Sequence, residues 1–158
     1  MRINPFDIKI TAFEIINYFS RENIVEILKK YGEEKYANQI ADKIVKQRKI
    51  KKIQTTKELS ELILSVVPRK KKIHPATKTF MALRIYINQE LENLEKGLKD
   101  AYEVIENGGR IVIITFHGLE DKVVKKVFKE LKKKGAKVLT KNVVRPSRKE
   151  ILENPSSR

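Results

Sequence analysis

Gly108-Gly109-Arg110-Ile111-Val112-Ile113-Ile114-Thr115-Phe116-His117-Gly118-Leu119-Glu120-Asp121 is the stretch on which the fold class turns. A glycine pair closes what precedes it. β-branched residues then run from Ile111 to Ile114 without a polar interruption, the pattern of a strand buried on both faces in a parallel sheet. His117-Gly118 turns the chain into a helix with Val123, Val124, Val127, Phe128 and Leu131 on its inner face. Gly135 ends it, and Lys137-Val138-Leu139-Thr140 reads as a short second strand. Upstream, Pro75 suits the first turn of one long helix carrying Phe80, Leu83, Ile87, Leu91, Leu94, Leu98 and Val104, and Asn107-Gly108-Gly109 stops it. Helix–strand–helix–strand is the grammar of a helix-rich α/β fold.

The segment before Pro68 reads differently, as four short helices. Thr11 with Glu14 forms a capping box for a helix through Tyr18. Ser20 caps a second helix, with Ile24, Ile27 and Leu28 on one face, ending at Tyr31-Gly32. A third is expected from about Glu33 to Arg48, with Tyr36, Ile40, Ile44 and Val45 at helical spacing. Thr55 with Glu58 opens a fourth, which carries Leu59, Leu62, Ile63 and Val66 and stops at Pro68. The tail from Lys141 to Arg158 is basic and shows no clear periodicity. The reading therefore divides the chain into a helical part, residues 1–72, and an α/β part, residues 73–158.

Composition narrows the function classes. The 158 residues fit one ordinary domain or two small ones, and 41% hydrophobic content argues against wholesale disorder. There is no Cys, so no disulfide framework, thiolate metal site or cysteine nucleophile. His74 and His117 are the only histidines and show no metal-ligand spacing, so no metal is expected. No stretch approaches the ~20 apolar residues of a membrane span and no signal peptide is visible, which points to the cytoplasm. A Lys/Glu-rich surface resembles that of heat-adapted proteins. The formal net charge of +15 asks for a polyanion, because Lys and Arg that neutralise phosphates release condensed counterions. Two basic clusters stand out: Lys46, Arg48, Lys49, Lys51 and Lys52, and then Arg69-Lys70-Lys71-Lys72. Charge runs are usually solvated surface, yet two unbalanced runs at helix ends favour nucleic acid.

Chemistry is sparser. Thr115 to Asp121 lies at the carboxyl end of the expected strand, where ligands bind in open α/β sheets. It offers an aromatic ring, an imidazole and two carboxylates. Spacing alone favours a plain helix start, with Glu120 and Asp121 complementing the dipole and His117 a bystander. His74-Pro75-Ala76-Thr77 can likewise simply cap a helix. Asn88, mid-pattern in the long helix, is either solvent-facing or a deliberate hydrogen-bonder. Gly108-Gly109 precedes its strand and so serves as a turn, not a phosphate cradle.

Longer motifs add a resemblance. His74-Pro-Ala-Thr-Lys-Thr-Phe-Met-Ala-Leu-Arg-Ile, then Asn88-Gln89-Glu90-Leu91, closely resembles a signature segment of the RsmH (MraW) family, which methylates the N4 amine of a cytosine in small-subunit ribosomal RNA. The pattern continues through Gly108-Gly109-Arg110 and Phe116 to Lys125, with further matches at Tyr31-Gly32-Glu33-Glu34, Arg145-Pro146-Ser147 and Glu153-Asn154-Pro155. Met1-Arg2-Ile3-Asn4 looks like the family's segment just before an inserted helical domain. Members usually carry Ser where this chain has Thr115 and Gly118; Thr115 keeps a hydroxyl and Gly118 does not.

The resemblance implies that residues 1–72 are an rRNA-binding insert and residues 73–158 the C-terminal part of a Rossmann-like methyltransferase fold with an incomplete sheet. The S-adenosylmethionine half would precede Met1, so no cofactor is expected to bind this chain alone. Phe116 and His117 would shape the pocket of a splayed-out cytosine. Asn88, Glu90, Glu120 and Asp121 would accept the amine protons or support the groups that do. His74, Thr77 and Thr115 belong to the same motifs and would line the substrate side. Lys49, Lys52, Lys71 and Arg145 would hold rRNA phosphates.

A buried strand with both neighbours missing is a liability, each orphan backbone group costing about 1–3 kcal/mol. Self-association, or pairing with a chain that supplies the cofactor half, is expected. Two other readings compete: a non-catalytic RNA-binding or assembly module, and, more weakly, a generic helical DNA-binding protein.

Overall fold

The structure is a computed structural model and describes residues 10–69, 73–140 and 142–155. Met1–Asn4, the run 70–72 with the candidate Lys71, and Lys141 lie outside the described residues. Eight helices appear among those described: α1 (Ala12–Tyr18), α2 (Arg21–Gly32), α3 (Ala37–Ile50), α4 (Thr56–Leu64), α5 (Thr77–Asn88), α6 (Glu90–Val104), α7 (Gly118–Lys133) and α8 (Arg148–Glu153). Two compact units result, Met1–Lys96 and Gly97–Arg158.

The first unit is built on α2. Its Ile24, Ile27 and Leu28 face inward and pack against α3 and α5, while α3 also carries α4 and α1. Ile40 and Ile44 of α3, Ile63 of α4 and Leu83 and Ile85 of α5 are fully buried. Each such side chain contributes about 1.5–3 kcal/mol relative to exposure. The end of α2 sets the α2–α5 approach. Glu33 adopts the left-handed conformation (φ 45°), and the amides of Glu33 and Glu34 donate to the carbonyls of Lys29 and Leu28, both at 3.1 Å. This paired closure satisfies carbonyls that the helix leaves orphaned. It also explains why α3 begins at Ala37 rather than near Glu33: the latter residue is spent ending α2.

The long helix expected from Pro75 to Asn107 is two helices. Gln89 turns left-handed (φ 50°) between α5 and α6. The Asn88 side-chain amide donates to the Arg84 carbonyl at 2.9 Å, and Asn93 donates to the Asn88 carbonyl at 2.9 Å. Side chains thus satisfy backbone groups that a continuous helix would have used, and an apolar stripe running through both segments conceals the break.

The second unit buries Leu98 of α6 with Val124, Val127 and Leu131 of α7. The Tyr102 hydroxyl donates to the Lys134 carbonyl at 2.9 Å, and Lys99 pairs with Glu130 at 3.5 Å. The tail is not featureless: Ser147 and Glu150 form a capping box that opens α8.

Neither expected strand is present among the described residues. Ile111–Thr115 and Lys137–Thr140 carry no ladder, and Val112 (84%) and Ile114 (79%) are exposed. The physical reason is that a strand exists only by cross-strand hydrogen bonds, and β-branched composition supplies no partner. The helix-rich character is as expected; the sheet is not formed here.

Candidate functional site

The candidate residues have several local settings. At the start of α7, His117 is the N-cap. Its Nδ1 accepts from the Glu120 amide at 3.3 Å, and Glu120 Oε2 accepts from the Phe116 and His117 amides at 2.6 and 3.3 Å. With Nδ1 as acceptor the neutral ring carries its proton on Nε2, which lies 3.4 Å from Glu120 Oε1 but outside hydrogen-bond geometry. The imidazole is therefore no bystander, and the expected plain helix start is correct only in kind. Asp121 Oδ2 accepts from Lys125 Nζ at 2.6 Å, one turn on. Phe116 is 88% exposed, and Thr115 is half-buried at the end of the extended segment.

At the α5–α6 break, Arg84 grips Glu90 with two prongs, Nε to Oε1 at 2.9 Å and Nη2 to Oε2 at 3.1 Å. Asn88 Nδ2 adds a third donor to Oε1 at 3.2 Å. Both oxygens of Glu90 are thus engaged, which favours support over direct acceptance from a substrate amine. Arg84 lies within the motif, yet sequence reading assigned it nothing. Its only signal was an arginine six residues before a glutamate, a spacing that no single helix would pair.

His74 and Thr77 sit at the entrance to α5. His74 Nδ1 accepts from the Ala76 amide at 3.2 Å, and the Thr77 amide donates to the His74 carbonyl at 3.0 Å. Both side chains are exposed. Thr79, fully buried two residues further on, holds a hydroxyl with no hydrogen-bond partner among the described residues.

The first basic cluster is less free than its composition suggests. Arg48 Nη1 donates to the Ile16 carbonyl at 3.0 Å, and Lys51 lies 3.6 Å from Glu58. Lys52 Nζ donates to the Tyr18 hydroxyl at 2.6 Å. Lys49 is exposed at the end of α3, and Arg145 is exposed before α8.

Gly108 takes φ +87°, and a Cβ on Gly109 would run into the Ile105 side chain. The pair is a packed turn, and it does not fit the open backbone cradle that a nucleoside cofactor such as S-adenosylmethionine needs.

The family model described as the MraW methylase family matches residues 1–158. The chain is 48% identical to the "Ribosomal RNA small subunit methyltransferase H" of Sulfurihydrogenibium sp., covering 95% of this chain and 53% of that protein. It is 44% identical to the protein of that name from Persephonella marina (99% and 57%) and 46% identical to that from Coprothermobacter proteolyticus (96% and 51%). The chain thus spans about half the length of these curated relatives. Motifs spread from one end to the other, and a match of the same extent, have one explanation: the chain belongs to the MraW methylase family.

Proposed function

We propose that this chain is the rRNA-facing part of an S-adenosylmethionine-dependent methyltransferase acting on the N4 amine of a cytosine in small-subunit rRNA, with the methyl donor held by residues other than these. The observation that carries the reading is the exposed β-branched run Val112–Ile114, followed by the exposed Phe116 and the capped start of α7. Such a segment fits as a central strand once other strands flank it. Its carboxyl end would then carry Phe116 and His117 to the place where α/β enzymes bind ligands. Family membership and the relatives' names support the rRNA substrate.

On this reading residues 1–72 are the rRNA-binding insert and residues 73–158 complete the catalytic domain, in the cytoplasm. Phe116 stacks on the base. His117 and Asp121 flank it, Glu120 holds the loop, and Glu90 with Asn88 holds the α5–α6 break. His74, Thr77 and Thr115 line the substrate side, while Lys49, Lys52, Lys71 and Arg145 meet phosphates.

The test is reconstitution. The chain is mixed with the N-terminal half of the Sulfurihydrogenibium relative, unmethylated small subunits and tritiated S-adenosylmethionine. Label should enter rRNA only when both polypeptides are present. His117→Asn, which preserves an N-cap, and Asp121→Asn should each slow transfer on the order of a hundredfold. Full activity of both variants removes these residues from the proposed role. RNA binding without any transfer is the outcome expected of a non-catalytic module.

A further inference from the structure

Tyr18, the last residue of α1, is held in an unusual way for an exposed aromatic. It remains 59% exposed, yet two side chains hold it. Lys52 Nζ donates to its hydroxyl at 2.6 Å and lies 4.8 Å from the ring centroid. Phe13, also exposed, meets it edge-on with centroids 6.1 Å apart. Beneath them, Asn17 is buried and exchanges hydrogen bonds with the backbone of Ile53, donating at 2.9 Å and accepting at 3.0 Å. Arg48 adds a staple from α3 to the Ile16 carbonyl. The end of α1 and the basic segment after α3 are therefore one rigid piece, although some 36 residues apart in sequence.

An aromatic ring left in water loses the free energy of burial, and this one is ordered without being buried. Lys52 brings a cationic stretch of chain to it: Lys49, three residues before Lys52, is exposed, as is Lys51, which also faces Glu58 at 3.6 Å. A pre-positioned aromatic ring held by one ammonium group, on a chain segment that carries further exposed lysines, matches an unpaired nucleotide, whose base stacks while its phosphates meet the lysines. A helical duplex offers no such face, since its bases are already stacked on one another. An acidic protein would satisfy the lysines but leave the ring without a specific role.

We infer that Tyr18, supported by Phe13 and Lys52, is a stacking platform for an unpaired base of RNA, with Lys49 and Lys51 on the flanking phosphates. The inference rests on the proposed rRNA-facing role and adds to it a specific site and a preference for single strands.

The test uses the full chain and a fluorescein-labelled unpaired RNA of about twelve nucleotides, within the span of a single-strand site. A duplex of equal length and polyglutamate serve as competitors. Tyr18→Ala should weaken single-strand binding about tenfold, the scale of one lost base stack, while Tyr18→Phe retains it. The salt slope should be unchanged in Tyr18→Ala and should fall by about one in Lys49→Ala. RNA carrying 4-thiouridine should cross-link to the peptide containing Tyr18. Equal binding by wild type and Tyr18→Ala would overturn the platform while leaving RNA binding intact. Duplex or polyglutamate competing as well as single strand would also overturn it. No binding to any RNA at low salt would overturn both the platform and the reading beneath it.

Discussion

Gly32 shows how a single residue sets a helix contact. A Cβ built there would lie 2.9 Å from the Lys78 carbonyl oxygen and 3.1 Å from the Ala82 Cβ. The first neighbour is backbone of α5 and cannot rotate away. Gly32→Ala should therefore destabilise the fold by about 1–3 kcal/mol, read as a lower urea midpoint with an unchanged slope. Sequence reading placed Gly32 correctly at the end of α2 but offered no reason for a glycine there. The glycine's φ is not positive; the left-handed residue is Glu33, and Gly32 is small because α5 passes close by. His117 was similarly half-legible. Its proximity to Glu120 follows from spacing, but a histidine N-cap with a glutamate three residues on is hidden from rules written for Ser and Thr.

At the scale of the element, local signals were strong wherever caps were conventional. Thr11 with Glu14 and Thr55 with Glu58 both form reciprocal boxes, and α1 and α4 start where expected. The Glu58 carboxylate shows the energetic side. The amides of Gln54 and Thr55 hold its pKa below the ordinary 4.5, with Lys51 a smaller contributor. A depressed folded value means that this stabilisation is fully present above 4.5 and disappears as pH falls through the lower folded value. Glu58→Gln cannot ionise, so its urea midpoint should decline less steeply than wild type as pH is lowered through that range. Parallel declines would show that the box does not contribute to acid sensitivity. Elsewhere the element scale misled. The apolar stripe across α5 and α6 is continuous, so only the left-handed Gln89 and the Arg84–Glu90 fork reveal the break.

For the whole molecule, the exposed Val112, Ile114 and Phe116 dominate. Apolar extended chain without ladder partners is a template for pairing with another chain. The isolated protein is expected to self-associate at tens of micromolar in sedimentation velocity, and Ile114→Lys should shift it toward monomer. A sharp monomer at that concentration in the wild type would exclude this. Charge works at the same scale: a net +15 keeps copies apart at low salt, so association should strengthen as salt screens the repulsion.

Short-range information settled most of the helices and the family. A capping box or a 3.6-residue period involves residues within a turn or two, and an ordered set of motifs is itself linear. Of the candidate residues' settings, the short-range pairings were the legible part, since Asn88 and Glu90, and likewise His117 and Glu120, are near neighbours in the chain. Interactions across longer distances were decided only by tertiary structure: Lys52 anchoring Tyr18, Asn17 bonding Ile53, and the close passage of α5 over Gly32. The β-branched run Ile111–Ile114 marks the division most clearly. Its residues state a preference for a strand, but a strand's hydrogen bonds belong to two segments at once, and one segment cannot supply both sides.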